Sequence, residues 1–155
     1  MVNASIRQAF ASRLEALAPD LPISLLDVQA REAIQAAEVV LTASGTATLE
    51  ILLLKRPMVV AYRFSPLTFW LITRFKLVKL THVALSNLLS EQPMAPEFLQ
   101  QACRPDMLGP ALLDFLNSPE RRAEITMAYR KTHEKLRCNA TERAADAVLE
   151  LLDGS

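Results

Sequence analysis

A short buried strand that turns directly into a helix is the feature that most restricts how this chain can fold. In residues 38–41, one glutamate is followed by three aliphatic residues, a pattern that predicts a strand. Small and hydroxyl residues form a turn around Gly45, and residues 48–54 predict a helix with an apolar face. Strand, turn and helix make the βα unit of a parallel sheet, and such sheets bind ligands at the carboxyl ends of their strands.

Three residues of that turn, Ser44, Gly45 and Thr46, lie where the predicted helix begins. The first N–H groups of a helix are unpaired and its dipole is positive there, so a diphosphate suits the position. Glu50 lies about one turn further on the same helix face and could accept hydrogen bonds from a ribose diol. A purely structural interpretation also fits, because Ser and Thr are common N-caps and glycine suits a tight turn.

The remaining sequence alternates between helical and strand patterns. Helices are predicted at residues 4–17, 30–37, 48–54, 97–102, 109–116, 119–136 and 141–152, and strands at 23–26, 38–41, 58–62 and 82–85. The strand at 58–62 is almost purely apolar, which is typical of a strand buried on both faces. Alternating helices and strands predict the α/β class, with a Rossmann-like parallel sheet and flanking helices.

Two further polar residues follow predicted strands. Arg63 comes after strand 58–62 and Asn87 after strand 82–85, so both are expected at the edge of the sheet that holds Gly45. Arg63 could neutralise phosphate charge or form a salt bridge, and Asn87 could bind a sugar or cap the next turn. Glu50 and Glu97 are the carboxylates expected near this cleft, and no residue stands out as a general base.

The segment at residues 64–80 combines aromatic, aliphatic and basic side chains and contains no acidic residue. Such a segment is typical of an amphipathic helix lying on an anionic membrane. The alternative is a helix packed under the sheet or in a domain or dimer interface, with its cations reaching the rim. The residues predicted to contact a membrane or acyl chain are Phe64, Phe69, Trp70, Arg74, Phe75 and Lys76.

Composition narrows the classes of function. A hydrophobic content of 51% with 22% charged residues predicts a globular chain of one domain's length. A net charge of +0 provides no field that would attract nucleic acid. Cys103 and Cys138, like His82 and His133, lack the spacing of metal ligands, so no metal site or cofactor is predicted. Free thiols and the lack of a signal peptide predict a cytoplasmic protein.

Several segments, in their order, resemble the C-terminal half of the lipid-A-disaccharide synthases, GT-B glycosyltransferases of Gram-negative lipopolysaccharide biosynthesis. The matching segments are residues 43–50 (Ala-Ser-Gly-Thr-Ala-Thr-Leu-Glu), 55–63, 65–70, 87–89, 96–100, 137–145 and 148–152. The family usually has Tyr and Pro where this chain has His82 and Ser86. Its N-terminal acceptor domain and a Gly-Ser-Arg loop have no counterpart here, so residues 1–155 are expected to be one partial, N-terminally truncated donor-binding domain.

The resemblance implies transfer of 2,3-diacylglucosamine from UDP to lipid X with inversion, giving lipid A disaccharide 1-phosphate. It implies that Ser44, Gly45 and Thr46 hold the diphosphate, that Glu50 holds the ribose and that Asn87 orients the donor. No metal is implied. The catalytic base belongs to the absent half in this family, so no catalytic residue is assigned and the isolated chain is expected to be inactive.

The expected partners follow from the same interpretation. They are UDP-2,3-diacylglucosamine, lipid X, the missing N-terminal half, a second copy of the chain through an unpaired strand edge, and the inner-membrane surface. Two other functions remain open on the sequence. One is the donor domain of a UDP-sugar epimerase or another GT-B-like enzyme, and the other is a non-catalytic module that binds a membrane or protein through residues 64–79.

Overall fold

The structure is a computed structural model that describes residues 4–43, 45–74 and 82–153. The chain divides into two compact units, residues 1–36 and 37–155. The first unit contains two helices, and the second contains the sheet and the remaining described elements. The domain organisation predicted from the sequence stays a prediction.

The first unit carries helix α1 (Ala4–Leu17), which has the bounds predicted from its apolar periodicity, and helix α2 (Ala30–Ala36). Arg7 on α1 forms an ion pair with Asp27 at 2.7 Å, and both side chains are about half exposed. Such surface pairs contribute only about 0–1 kcal/mol. The strand predicted at residues 23–26 is wrong: that run is irregular, and the described part of this unit holds no strand that could pair with it.

A three-stranded parallel sheet forms the centre of the second unit. Its strands, side by side in this order, are β1 (Val40–Thr42), β2 (Met58–Tyr62) and β3 (Glu97–Leu99). Val40 pairs with Met58 across the first ladder, and Val60 pairs with Glu97 across the second. The first three residues of β2 are fully buried, as expected for a strand covered on both faces. The predicted α/β class with a parallel sheet flanked by helices is confirmed.

Helices of very different length surround this sheet. They are α3 (Thr46–Leu53), α4 (Pro66–Arg74), α5 (Leu85–Leu89), α6 (Pro105–Asn117), α7 (Pro119–Leu136) and α8 (Ala140–Asp153), with a short 3-10 helix at Gln100–Ala102. Helix α3 ends in a Schellman motif, because Lys55 adopts φ 56° and the Arg56 N–H donates to the Ile51 carbonyl at 3.2 Å. This left-handed turn redirects the chain from α3 into β2.

Helices α3, α6 and α7 supply the core side chains that accompany β2. Ile51, Phe115, Ile125 and Tyr129 are at most 1% exposed, and burying an aliphatic or aromatic side chain of this size stabilises a fold by about 1.5–3 kcal/mol. Burial also raises the pKa of Tyr129 above its ordinary range, and the neighbouring Ser86 offsets only part of that shift. The Tyr129 hydroxyl makes no hydrogen bond of good geometry within the described residues.

Two elements of the second unit also differ from their prediction. The strand predicted at residues 82–85 is wrong, since residues 82–84 are irregular and Leu85 begins α5. The helix predicted at residues 97–102 is β3 followed by the 3-10 helix. In both places hydrogen bonds to residues far away in the sequence determine the backbone conformation, and the local sequence pattern does not. Among the described residues, no helix has the length and apolar character needed to cross a membrane.

Candidate functional site

The turn between β1 and α3 has the geometry of a helix start that only glycine adopts readily. Gly45 is the N-cap of α3 at φ 125° and ψ −157°, a region of backbone conformation that is essentially restricted to glycine. Thr46 is the first residue of α3, and among the described residues no side chain caps the helix. Free N–H groups and the positive end of the dipole therefore stand at the carboxyl end of β1. Ser44, predicted as part of this site, lies outside the described residues.

Thr48, which the sequence analysis did not single out, connects this turn to α5. Its hydroxyl donates to the Gly45 carbonyl at 2.7 Å and accepts from the Leu85 N–H at 3.1 Å. Thr48 is fully buried. One hydroxyl therefore joins the first turns of two helices and fixes their separation. Thr48 is a hydroxyl residue in the first turn of α3, where such side chains often bond to the backbone, and this was the sequence signal for the bond to Gly45.

Glu50 and Arg63 lie on separate elements. Glu50 is exposed on α3, and within the described residues its carboxylate has no hydrogen-bond or ion-pair partner. Arg63 directly follows β2, as predicted, and its Nη2 donates to the Cys103 carbonyl at 2.6 Å. That bond leaves the guanidinium charge without a carboxylate among the described side chains. Arg63 is thus positioned by the backbone, and no described carboxylate neutralises its charge.

Asn87 does not follow a strand; it lies within α5 and is 4% exposed. Its Nδ2 donates to the Ala95 carbonyl at 2.7 Å and to Glu97 Oε1 at 2.6 Å. Its Oδ1 accepts from the Met94 N–H at 3.0 Å and the Ala95 N–H at 2.9 Å. Both donors and both acceptor positions of the amide are therefore used within the chain. The side chain anchors the loop that leads into β3.

Glu97, the first residue of β3, gathers the polypeptide just before α5. Its Oε2 accepts from the Val83 N–H at 2.7 Å and the Ala84 N–H at 3.3 Å. Its Oε1, already bonded to Asn87, lies 3.2 Å from Nδ1 of His82. The Glu97 side chain is 8% exposed and the His82 side chain 29%. The carboxylate thus supplies the bonds that hold residues 82–84 in place.

The aromatic and basic segment is described as far as Arg74. Ser65 begins α4 as its cap, since Oγ accepts from the Thr68 N–H at 3.1 Å. Leu67, Trp70 and Leu71 are exposed, and so is Arg74 in the last turn. Phe64 is half-buried instead, with its ring 4.8 Å from that of Tyr62 in an edge contact.

Three residues of the predicted membrane contact cannot be placed on this surface. Phe75 and Lys76 lie outside the described residues, and so does the side chain of Phe69. Their predicted contact with a membrane or acyl chain stays a prediction. The exposed surface of the described part of the segment therefore includes Trp70 and Arg74. It also includes Leu67 and Leu71, which were not among the residues predicted to contact a membrane.

A groove of about 610 Å³ lies elsewhere, between the loop after α5 and one side of α7. Leu89, Met94 and Met127 are among its lining residues, but none of the residues predicted to bind a donor is. At its rim Lys135 donates a hydrogen bond to Glu91, and this bond together with the lysine charge lowers the pKa of Glu91. The predicted donor site is instead at the carboxyl edge of the sheet.

Comparison with known proteins identifies the family. The model of the lipid-A-disaccharide synthetase family matches residues 1–151. The chain is 48% identical over 151 residues to the lipid-A-disaccharide synthase of Enterobacter sp. (strain 638), covering 97% of this chain and 39% of that protein. It is 48% identical over 153 residues to that of Sodalis glossinidius, covering 99% and 40%. For Pectobacterium atrosepticum the identity is 47% over 152 residues, covering 98% and 39%.

The extent of these matches decides what they show. They cover nearly all of this chain, but the chain spans only about two fifths of the length of these relatives, between 39% and 40%. The α/β sheet with a glycine turn at its carboxyl edge agrees with the segments on which the resemblance rests. The chain therefore belongs to the lipid-A-disaccharide synthetase family.

Proposed function

We propose that this chain is the nucleotide-sugar-binding part of a glycosyltransferase. The whole enzyme would transfer 2,3-diacylglucosamine from UDP to lipid X and form lipid A disaccharide 1-phosphate. The observation that carries this proposal is the N-terminus of α3, which no described side chain caps, at the carboxyl end of β1 in a chain of this family. That position suits the diphosphate of a nucleotide sugar, because N–H groups and the helix dipole both favour negative charge there.

Each described residue of the site takes a role suited to its surroundings. The N–H groups of Gly45 and Thr46 bind the diphosphate, and Ser44, which precedes them in the sequence, is proposed to take part. Glu50 is exposed on α3 with an unpaired carboxylate and can accept hydrogen bonds from ribose hydroxyls. Arg63, held by the Cys103 carbonyl, adds positive charge at the neighbouring strand end.

Asn87 is assigned an indirect role. Since its amide is saturated by the chain, it orients the donor by holding the segment between α5 and β3, with Glu97, in one conformation. Contact of the Asn87 side chain with a sugar would require one of these buried bonds to break. Leaving a buried polar group unpaired costs about 1–3 kcal/mol.

The reaction requires charge stabilisation as UDP departs. Backbone N–H groups already aimed at the leaving diphosphate can supply it without reorganisation. Transfer with inversion also needs a base at the acceptor hydroxyl and a pocket for lipid X. We propose that the part of the relatives beyond this chain provides both.

Two exposed surfaces of the described residues support the remaining proposed partners. The outer edge of β1 has no partner strand among the described residues, and Leu41 on it is 50% exposed. Such an edge is a template for another strand, from the rest of the enzyme or from a second copy of the chain. The exposed Leu67, Trp70 and Arg74 of α4 suit the inner-membrane surface, where lipid substrates reside, and place the enzyme at its cytoplasmic side.

Calorimetric titration of this chain with UDP tests the proposal, with ADP and uridine as matched ligands. We expect UDP to bind and uridine, which lacks the diphosphate, to bind far more weakly. A Gly45→Ala variant should lose affinity, because an alanine at φ 125° is strained and would move the N–H groups. Equal binding of UDP and uridine would remove the diphosphate from the proposal, and no binding of UDP would refute the site.

A further inference from the structure

The side of α7 that lines the groove carries its charges in a fixed order. Glu120 and Glu124 come first, Met127 lies in the middle, and Lys131 and Lys135 follow. Successive members of this series are three or four residues apart, so their side chains lie on one face of the helix. All five side chains are exposed. The exposed face therefore changes from acidic through apolar to basic along the helix.

Most of these charges lack a partner of opposite sign within the chain. Among the described residues, Glu120, Glu124 and Lys131 form no ion pair. Lys135 bonds to Glu91 on the opposite wall of the groove, and this bond and the lysine charge lower the pKa of Glu91, with a smaller contribution from Lys131. Two lysines thus share one carboxylate, so the basic end of the groove keeps a net positive charge.

The middle of the groove is apolar and open. Met127 is 63% exposed, and Leu89 and Met94 lie on the wall that faces α7. Methionine side chains adapt to the shape of a partner and are common on binding surfaces. An exposed apolar centre bordered by charged residues is typical of a surface that contacts another protein.

The order of the charges makes this surface complementary to itself. Glu120 and Lys135 have the same midpoint in the sequence as Glu124 and Lys131, and it lies between residues 127 and 128. An antiparallel copy of α7 centred there places each glutamate opposite a lysine in a single register. A two-fold axis at that point repeats both pairs, as a symmetric dimer interface requires. A parallel copy in the same register would place like charges opposite one another.

We propose that this groove is a two-fold interface at which a second copy of the chain lays its α7 antiparallel to that of the first. Met127 of each copy enters the groove of the other and contacts Leu89 and Met94. The interface includes neither the helix start at Gly45 nor the outer edge of β1, so it does not depend on the proposed function.

Reversing the charges nearest the centre tests this interface through the oligomeric state, measured by analytical ultracentrifugation over a range of concentrations. We expect the wild-type chain to form a dimer that dissociates on dilution. Glu124→Lys would bring lysines together at two symmetric places, and Lys131→Glu would do the same with glutamates. Each variant alone should therefore dimerise at least about tenfold more weakly. An equal mixture of the two variants should form a dimer again, because every facing pair is then of opposite sign.

Arg130→Glu is the matched control for Lys131→Glu. Arg130 is exposed on α7 but does not line the groove, so its reversal should leave the dimer unchanged. Circular dichroism establishes that all three variants keep the fold, and their affinity for UDP should equal that of the wild type.

Three results would overturn the interface. They are a wild-type chain that is monomeric at every concentration, a wild-type dimer that both groove variants retain, and a mixture of the variants that stays monomeric. None of them bears on UDP binding, so the proposed function would stand or fall separately.

Discussion

Replacing Thr48 with valine removes one hydroxyl from the junction of α3 and α5 and changes little else in shape. The wild-type hydroxyl makes two bonds, at 2.7 Å to the Gly45 carbonyl and at 3.1 Å from the Leu85 N–H. The Gly45 carbonyl keeps a second partner, the Thr48 N–H at 3.1 Å. Leu85, at the start of α5, loses the acceptor of its N–H. The cost of Thr48→Val is therefore dominated by one donor left unpaired.

The magnitude follows from the burial of this junction. An unpaired buried donor costs about 1–3 kcal/mol, and Thr48 is 0% exposed. For a chain of this length each kcal/mol lowers Tm by about 2–4 °C. We therefore expect Thr48→Val to lower Tm by about 2–12 °C. The affinity for UDP should fall as well, because the glycine turn and α5 are no longer held together.

Thr48→Ser is the matched control, since it keeps the hydroxyl and removes only the methyl group. Both variants are measured by urea unfolding and by thermal melting followed by circular dichroism. If the hydroxyl is the important group, the serine variant should retain UDP affinity even where it loses some stability. Valine and serine variants with equal UDP affinity, or a valine variant as stable as the wild type, would refute the reasoning.

Four further predictions address the site and the core. Glu50→Gln should weaken UDP binding by about 1.5–3 kcal/mol with an unchanged Tm, whereas Glu134→Gln, an exposed control on α7, should not; equal affinities would remove Glu50 from the site. The pKa of Tyr129 is raised in the folded chain, so as the pH rises its hydroxyl ionises in the unfolded chain first. The free energy of unfolding should therefore decline above about pH 10. Urea unfolding of Tyr129→Phe should show a smaller decline. Sedimentation with anionic vesicles should decrease in a Leu67→Ser, Trp70→Ser double variant and at high salt; no binding by the wild type would favour a protein interface. The isolated chain should form no disaccharide from UDP-diacylglucosamine and lipid X, because positioning both reactants accounts for up to about 7–11 kcal/mol of the barrier; product formation by the purified chain would contradict this.

Elements with strong local signals were predicted from the sequence. The helices Ala4–Leu17 and Pro119–Leu136 and the strand Met58–Tyr62 have the predicted bounds. The first helix and the strand each combine a clear apolar pattern with a proline near one end, at positions 19 and 57, whereas the second helix is mostly polar and begins at Pro119. Pattern and proline act within a few residues of one another, so no distant contact is needed to specify these elements.

The segment around Asn87 could not be predicted in the same way. The N–H groups of residues 83–85 are bonded to Glu97 and Thr48, which are 13 to 37 residues away. Those bonds replace the ladder of a strand and allow α5 to begin at Leu85. Glu97, read locally as the start of a helix, instead pairs with Val60 on buried β2. Sheet pairing overrides local propensity in such cases.

Only the part of the site that is specified by neighbouring residues in the sequence could be predicted. Gly45 and Thr46 were identified because a glycine turn between strand and helix is a local signal, and the structure places them at the start of α3. The arrangement of Thr48, Glu97 and His82 depends on which loops meet in space. A local sequence pattern does not show which loops lie close together in the folded chain.

The amide spectrum of the chain during titration with UDP tests the central claim most directly. The chain has three glycines, of which Gly45 is the N-cap of α3 and Gly109 lies on α6 as an internal reference. If the diphosphate binds at the start of α3, the Gly45 and Thr46 signals should move with saturation while Gly109 stays fixed, and uridine should leave Gly45 unmoved. A Gly45 signal that does not respond to saturating UDP would contradict the account.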